Sequence, residues 1–179
     1  MWMRITLKDF NLLATTWRGN ENKARFELKS LLEKIGEVAP RVERTGISGL
    51  IAARTDLEPL EVIKRFRVIL RERPYEFRYV LRLVPVERVV ATDLDQIKEA
   101  AVQIGAKIGK DETFRVTVEK RFTSLHTLNI IEVAATAIKN KVNLHQPDKI
   151  LLIEVVGGLT GLSIIKPDET LSVLKEKLL

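Results

Sequence analysis

The run KILLIEVVGGLTGLSIIKP, Lys149 to Pro167, constrains the fold more than any other part of the sequence. It is the most apolar stretch of the chain, with glycines at its middle. A membrane-spanning helix needs roughly 20 largely uncharged residues. Only residues 150–165 separate Lys149 from Lys166, and Glu154 is one of them. A phosphate-binding loop needs a lysine and a hydroxyl after its last glycine. Gly157–Gly158–Leu159–Thr160–Gly161 has neither in place. The pattern predicts a strand over Ile150–Val156, a glycine turn, and a second strand over Leu162–Lys166. The first strand is apolar on both faces apart from Glu154, as in a central strand covered on two sides. Glu154 is expected to pair with an arginine or lysine of a neighbouring strand.

The 179 residues suffice for one large or two small domains. In the first half, Phe10–Trp17 reads as a strand. Asn20 can cap a helix over Glu21–Ile35 that buries Ala24, Leu28, Leu31 and Ile35 and stops at Gly36. Strands over Arg41–Ile47 and Gly49–Thr55 flank a turn at Ser48–Gly49. Asp56 and Pro59 start a helix that buries Val62, Phe66, Ile69 and Leu70 and ends at Pro74. Glu76–Val84 reads as a strand. The order is βαββαβ, the ferredoxin-like split unit with both helices on one sheet face. The other face is expected to be open and to carry Arg78 and Arg82. Lys64, Arg65, Arg67 and Arg71 point outward from the second helix.

Leu83–Ala91 reads as an extended linker. Thr92 or Asp93 then caps a helix with Leu94, Ile97, Ala101, Ile104 and Ile108 on one face. Thr113–Phe122 reads as a strand, with Phe114, Val116 and Val118 inward and Arg115, Thr117, Glu119 and Arg121 outward. A helix over Leu125–Lys139 is expected to bury Leu128, Ile131, Ala135 and Ile138. After the apolar hairpin comes a last amphipathic helix from Asp168. The fold class is α+β, divided into domains 1–86 and 87–179.

The formal charge is +6, with 30 Lys and Arg against 24 Asp and Glu. Residues 1–90 carry 18 cations and 12 anions and hold the whole excess. That asymmetry suggests an anionic partner, nucleic acid before a membrane surface; a solvated surface with surplus cations is the plain alternative. The absence of cysteine excludes disulfide and thiolate chemistry. Arg4, Lys8 and Asp9 break any signal-peptide pattern, so a cytoplasmic protein is expected. No GxGxxG after a strand, HExxH, CxxC or GxSxG occurs. Asp93 with Asp95, and Asp111 with Glu112, read as helix-end caps. His126 at a helix start and His145 in a polar turn read as surface residues. No catalytic group, metal or cofactor is expected.

One constellation has chemistry behind it. A strand ending in Lys120–Arg121 runs through Phe122, Thr123 and Ser124 into a helix. Helix-start N–H groups, two hydroxyls and two cations can hold a phosphate, with Arg121 bidentate. An ordinary Ser/Thr N-cap beside surface cations is the alternative, and Arg121 can instead be structural, as the partner of Glu154.

The segments TFRVTVEKRFTSLHTLNIIEVAATAIKN and VNLHQPDKILLIEVVGGLTGLSII resemble a THUMP domain. They share the strand with a basic end, the turn with Leu144, Pro147 and Asp148, and the strand LLIEVV. FNLLATTWRGNENKARFEL and LVPVERVV resemble the ferredoxin-like domain that precedes THUMP. The likeness spans roughly residues 8–166. It implies a tRNA-binding module of tRNA-modifying proteins, and is nearest to stand-alone members that serve as adaptors to a tRNA cytidine N4-acetyltransferase. It further implies that the THUMP and ferredoxin-like parts together grip the tRNA acceptor end, a role that carries over by residue only to Lys120, Arg121 and the following helix. Lys139, Lys141, Lys166 and Arg54 join the candidate RNA-binding set on charge alone. An RNA-modifying enzyme with an unrecognised site, or a protein-interaction scaffold, are the rival readings.

Overall fold

The computed structural model describes residues 8–179. Arg4, part of the signal-peptide argument, lies outside the described residues. The elements run β1 (Leu12–Thr15), α1 (Glu21–Lys34), β2 (Arg41–Arg44), β3 (Leu50–Arg54), α2 (Pro59–Glu72), β4 (Arg82–Pro85), β5 (Arg88–Ala91), α3 (Leu94–Gly105), β6 (Phe114–Arg121), α4 (Thr127–Thr136), β7 (Lys149–Val156), β8 (Leu159–Ile165), β9 (Leu171–Ser172) and α5 (Val173–Lys177). They form two units: one runs to Val86 and takes in Glu169–Leu179, the other is Glu87–Asp168.

The first unit is the expected βαββαβ arrangement, an antiparallel sheet in the order β2-β3-β1-β4-β9. Alternation along the strands sends Leu12, Ala14, Ile51, Ala53 and Leu83 into one core with Leu28 and Leu31 of α1 and Val62 and Phe66 of α2. Gly36 ends α1 as its position predicts. At φ +104° it lets the N–H groups of Gly36 and Glu37 reach back to the carbonyls of Glu33 and Leu32.

Five expectations fail here for physical reasons. The strand expected over Glu76–Val84 begins only at Arg82. Pro74–Glu76 forms a 3-10 turn, and the Glu27 carboxylate then accepts the N–H groups of Arg78, Tyr79 and Val80 at 2.7–3.2 Å. Those donors are taken from any ladder, so Arg78 is on no sheet face. The face opposite the helices is not open either: Leu13, Ala52 and Val84 on it are 2%, 0% and 1% exposed. Leu83–Ala91 is no linker, because β4 and β5 occupy most of it. Finally, the domain expected over 87–179 stops at Asp168. Beyond it, β9 pairs with β4, Leu171 and Val173 join the first core, and Arg67 clasps Glu176 at 3.0–3.1 Å and the Thr170 carbonyl at 2.8 Å. The helix expected from Asp168 shrinks to α5.

In the second unit the sheet order is β5-β8-β7-β6, with β6 and β7 parallel and the other pairs antiparallel. The apolar hairpin is β7 and β8, joined by the two-residue turn Gly157–Gly158, with Gly157 at φ +61°. The turn is tighter than expected, so β8 begins at Leu159 and Gly161 lies inside it, directly across from Glu154. Helices α3 and α4 cover one face, where Ile97, Ile104, Ile130 and Ala134 meet Phe114, Leu151, Ile153 and Leu162. The expected face of α4 holds only in part: Ile138, just past the helix, is buried as expected, but Ile130 and Ala134 are buried while Leu128 is 77% exposed and Ile131 and Ala135 are half-buried. The helix also starts later and ends earlier than Leu125–Lys139, since residues 122–126 form a turn before it.

Candidate nucleic-acid interface

β6 and β7 run side by side and end together at Arg121 and Val156. The chain leaves β6 through Phe122 at φ +54°, the left-handed region, and this ring is 70% exposed. Thr123 Oγ1 accepts the Leu125 N–H at 3.1 Å, which closes the turn. Lys120 Nζ donates to the Leu125 carbonyl at 3.0 Å from an exposed position. Helix α4 then starts at Thr127 with His126 as N-cap, and His126 makes no side-chain cap bond. Every other helix among the described residues has an acid in its first turn; α4 has none. Its positive dipole end thus has no acid of its own first turn against it, and Lys120 and the exposed Ser124 precede it.

Arg121 has a different occupation from the expected phosphate clamp. Its Nη1 donates to Glu154 Oε2 at 2.8 Å, and the Glu154 side chain is 1% exposed. A buried carboxylate needs a partner, and the arginine two residues past it in strand register supplies it. The expected ion pair of Glu154 is therefore present, and it uses the same arginine that the phosphate reading needed.

The remaining candidates do not converge on this end. Lys139, Lys141 and Lys166 are exposed at the opposite end of the sheet, where Phe114 begins β6 and Ile165 ends β8. The eight residues of β6 put roughly 25 Å between the two ends. That far end is closed by its own contacts. Lys149 Nζ donates to both Glu112 oxygens at 2.7 and 2.6 Å, and Asn140 Nδ2 donates to the carbonyls of Gly109 and Glu112. Asp148 Oδ2 accepts the N–H and hydroxyl of Thr113 at 2.8 and 3.1 Å. The hydrogen bond from Lys149 holds the Glu112 carboxyl below the usual range, and the Thr113 N–H does the same for Asp148. Arg54, Arg78 and Arg82 belong to the first unit; Arg54 Nη1 reaches the Asp9 carbonyl at 3.3 Å.

Of the expected set, the structure brings together Lys120, Arg121, Thr123 and Ser124. Sequence reasoning gave no binding role to Phe122 or to His126 as N-cap. A bulky residue between a basic strand end and Thr-Ser was the available signal for the first. Among the described residues, no three His, Cys, Asp or Glu side chains gather where they could hold a metal ion. None of the described helices is long and apolar enough to cross a membrane.

Residues 91–165 match the family model of the THUMP domain. The second unit therefore carries a THUMP domain. An uncharacterized protein of Methanocaldococcus jannaschii is 27% identical over 167 residues, 90% of this chain and 42% of that protein. Among solved structures, PH1313 from Pyrococcus horikoshii superposes with a TM-score of 0.66 at 18% identity, over 88% of this chain and 55% of the other. TrmN from Thermus thermophilus gives 0.55 at 15% identity, over 87% and 45%. A 4-thiouridine synthetase in complex with RNA and ATP gives 0.53 at 17% identity, over 88% and 42%. At these identities the likeness is one of fold. The chain spans less than half the length of the curated relative it matches.

Proposed function

We propose that this chain binds tRNA and presents it to a modifying enzyme without catalysing a reaction itself. The THUMP domain supports RNA binding in the context of tRNA modification, and one fold relative was solved with RNA bound. The observation that carries the reading is the start of α4. Its dipole end has no acid in the first turn and no side-chain cap, and Lys120, Ser124 and the exposed Phe122 ring surround it in sequence. A phosphate there is held by helix-start N–H groups and Lys120. An unpaired base can stack on Phe122. The enzyme served is a tRNA cytidine N4-acetyltransferase, on the resemblance to its adaptor.

The test is a binding titration with tRNA over a salt series. Affinity should fall linearly on a log–log plot, by a slope of roughly 2 for two to three phosphates. Lys120→Glu should weaken binding about tenfold. Salt-independent binding, or a Lys120→Glu variant that binds normally, contradicts the reading. Acetyltransferase activity on tRNA with and without the chain tests the adaptor role separately.

A further inference from the structure

β6 is an edge strand, and most of its outer edge is unused. The Thr113 carbonyl accepts from Lys149 and the Arg121 carbonyl from Gly157, so odd-numbered residues turn their backbone groups toward β7. Even-numbered residues turn theirs outward. Phe114 spends its pair on the segment after α4: its N–H donates to the Lys141 carbonyl, and its carbonyl accepts from Asn143. Beyond Phe114 that segment leaves the edge. The outward N–H and C=O groups of Val116 and Val118 meet no partner among the described residues. Proteins commonly protect an edge of this kind, because it is a template for another strand.

The side chains say which strand fits. We propose that a second copy of this chain pairs antiparallel with β6 across a two-fold axis at Thr117. In that register Val116 and the partner's Val118 exchange two hydrogen bonds, and the symmetric pair exchanges two more. Arg115 lies opposite the partner's Glu119, and Glu119 opposite the partner's Arg115, so the strand is complementary to itself in charge. Glu119 is exposed, makes no ion pair among the described residues, and sits beside Glu154 in strand register. A cation from the partner relieves that like-charged pairing. Arg115 spends one donor on the Leu144 carbonyl at 3.0 Å and has others to give.

Neighbouring registers are excluded. Moving the axis to Val118 sets Arg115 against the partner's Arg121. Moving it to Val116 brings Phe114 into the ladder, where Val142 already lies. The exposed Val142 and Leu144 flank the open edge, at 49% and 65% exposure, and supply apolar surface at each end of the ladder.

Sedimentation over a concentration series tests this on the intact chain. A short ladder predicts a weak dimer, with Kd on the order of 10 µM. Glu119→Arg and Arg115→Glu should each weaken association at least about tenfold, by opposing like charges across the axis. The double variant should recover it. Thr117→Lys, which sets two lysines together on the axis, should also give monomer and stands in if Arg115→Glu does not fold. A wild-type chain that stays monomeric well above that concentration overturns the proposal. So does association that ignores Glu119→Arg, or a folded double variant that fails to recover it.

Discussion

The two ends of the THUMP sheet are built from similar residues and are put to different use. At the end where β6 begins, the charges satisfy one another. Glu112 holds Lys149, Asp148 holds Thr113, and Asn140 bridges two carbonyls. At the end where β6 finishes, Arg121 is held by the Glu154 carboxylate and Lys120 by a neutral partner, the Leu125 carbonyl. The next helix begins there with no acid in its first turn and an N-cap side chain that does not cap. Cation count does not separate the ends, since the exposed Lys139, Lys141 and Lys166 are all at the closed one. Backbone donors left without an internal carboxylate do separate them. Under the proposed function, the binding surface is marked by what its neighbours fail to satisfy, rather than by the density of positive charge.

The largest expected effect belongs to the ion pair at the end where β6 finishes. Arg121→Ala leaves Glu154 buried without its guanidinium and should cost about 3 kcal/mol, lowering the melting temperature by several degrees. Joint replacement of both residues by leucine should recover most of the loss. A melting temperature that Arg121→Ala leaves unchanged would remove the distinction between a consumed and an available cation.

Phe122→Gly should have a smaller effect, with opposite signs on stability and binding. Glycine relieves the left-handed backbone and should add about 1 kcal/mol of stability. Loss of the ring should weaken RNA binding about tenfold. If the variant is more stable and binds normally, the strain has no bearing on RNA.

The smallest effect lies at the closed end. Because the Asp148 carboxyl is held below its ordinary range in the fold, it contributes stability above that range. The contribution disappears as pH falls through the folded value. Asp148→Asn should therefore melt below wild type near neutrality, and the two curves should converge once the pH is below that folded value. A pH-independent gap would show that the carboxylate charge has no part in closing this end.

Much of this was legible in the sequence because it depends on periodicity. The apolar hairpin, the βαββαβ order and the Gly36 stop follow from spacing and backbone sterics. What was missed depends on tertiary competition. Nothing in residues 76–81 shows that Glu27, far off in the chain, captures three of their N–H groups. The return of Glu169–Leu179 to the first unit rests on a two-residue strand and on Arg67 meeting Glu176, and neither leaves a local pattern. At the site, Lys120–Arg121 was legible as a basic strand end. Choosing between phosphate and Glu154 as the partner of Arg121 required the parallel register of β6 on β7. The face of α4 was ambiguous because Leu128, Ile131 and Ala135 lead to Ile138 along a helical stripe as well as Ile130 and Ala134 do.

The central claim is that the start of α4, and not the lysine-rich far end, receives RNA phosphate. His126→Asp tests it directly. An aspartate at the N-cap should stabilise the helix by about 1 kcal/mol, while its carboxylate occupies the place proposed for phosphate. The account predicts a chain that melts higher and binds tRNA about tenfold more weakly. Lys141→Glu at the far end changes the net charge more and should weaken binding less than about threefold. The opposite ranking, with His126→Asp binding like wild type and Lys141→Glu losing affinity, would contradict it.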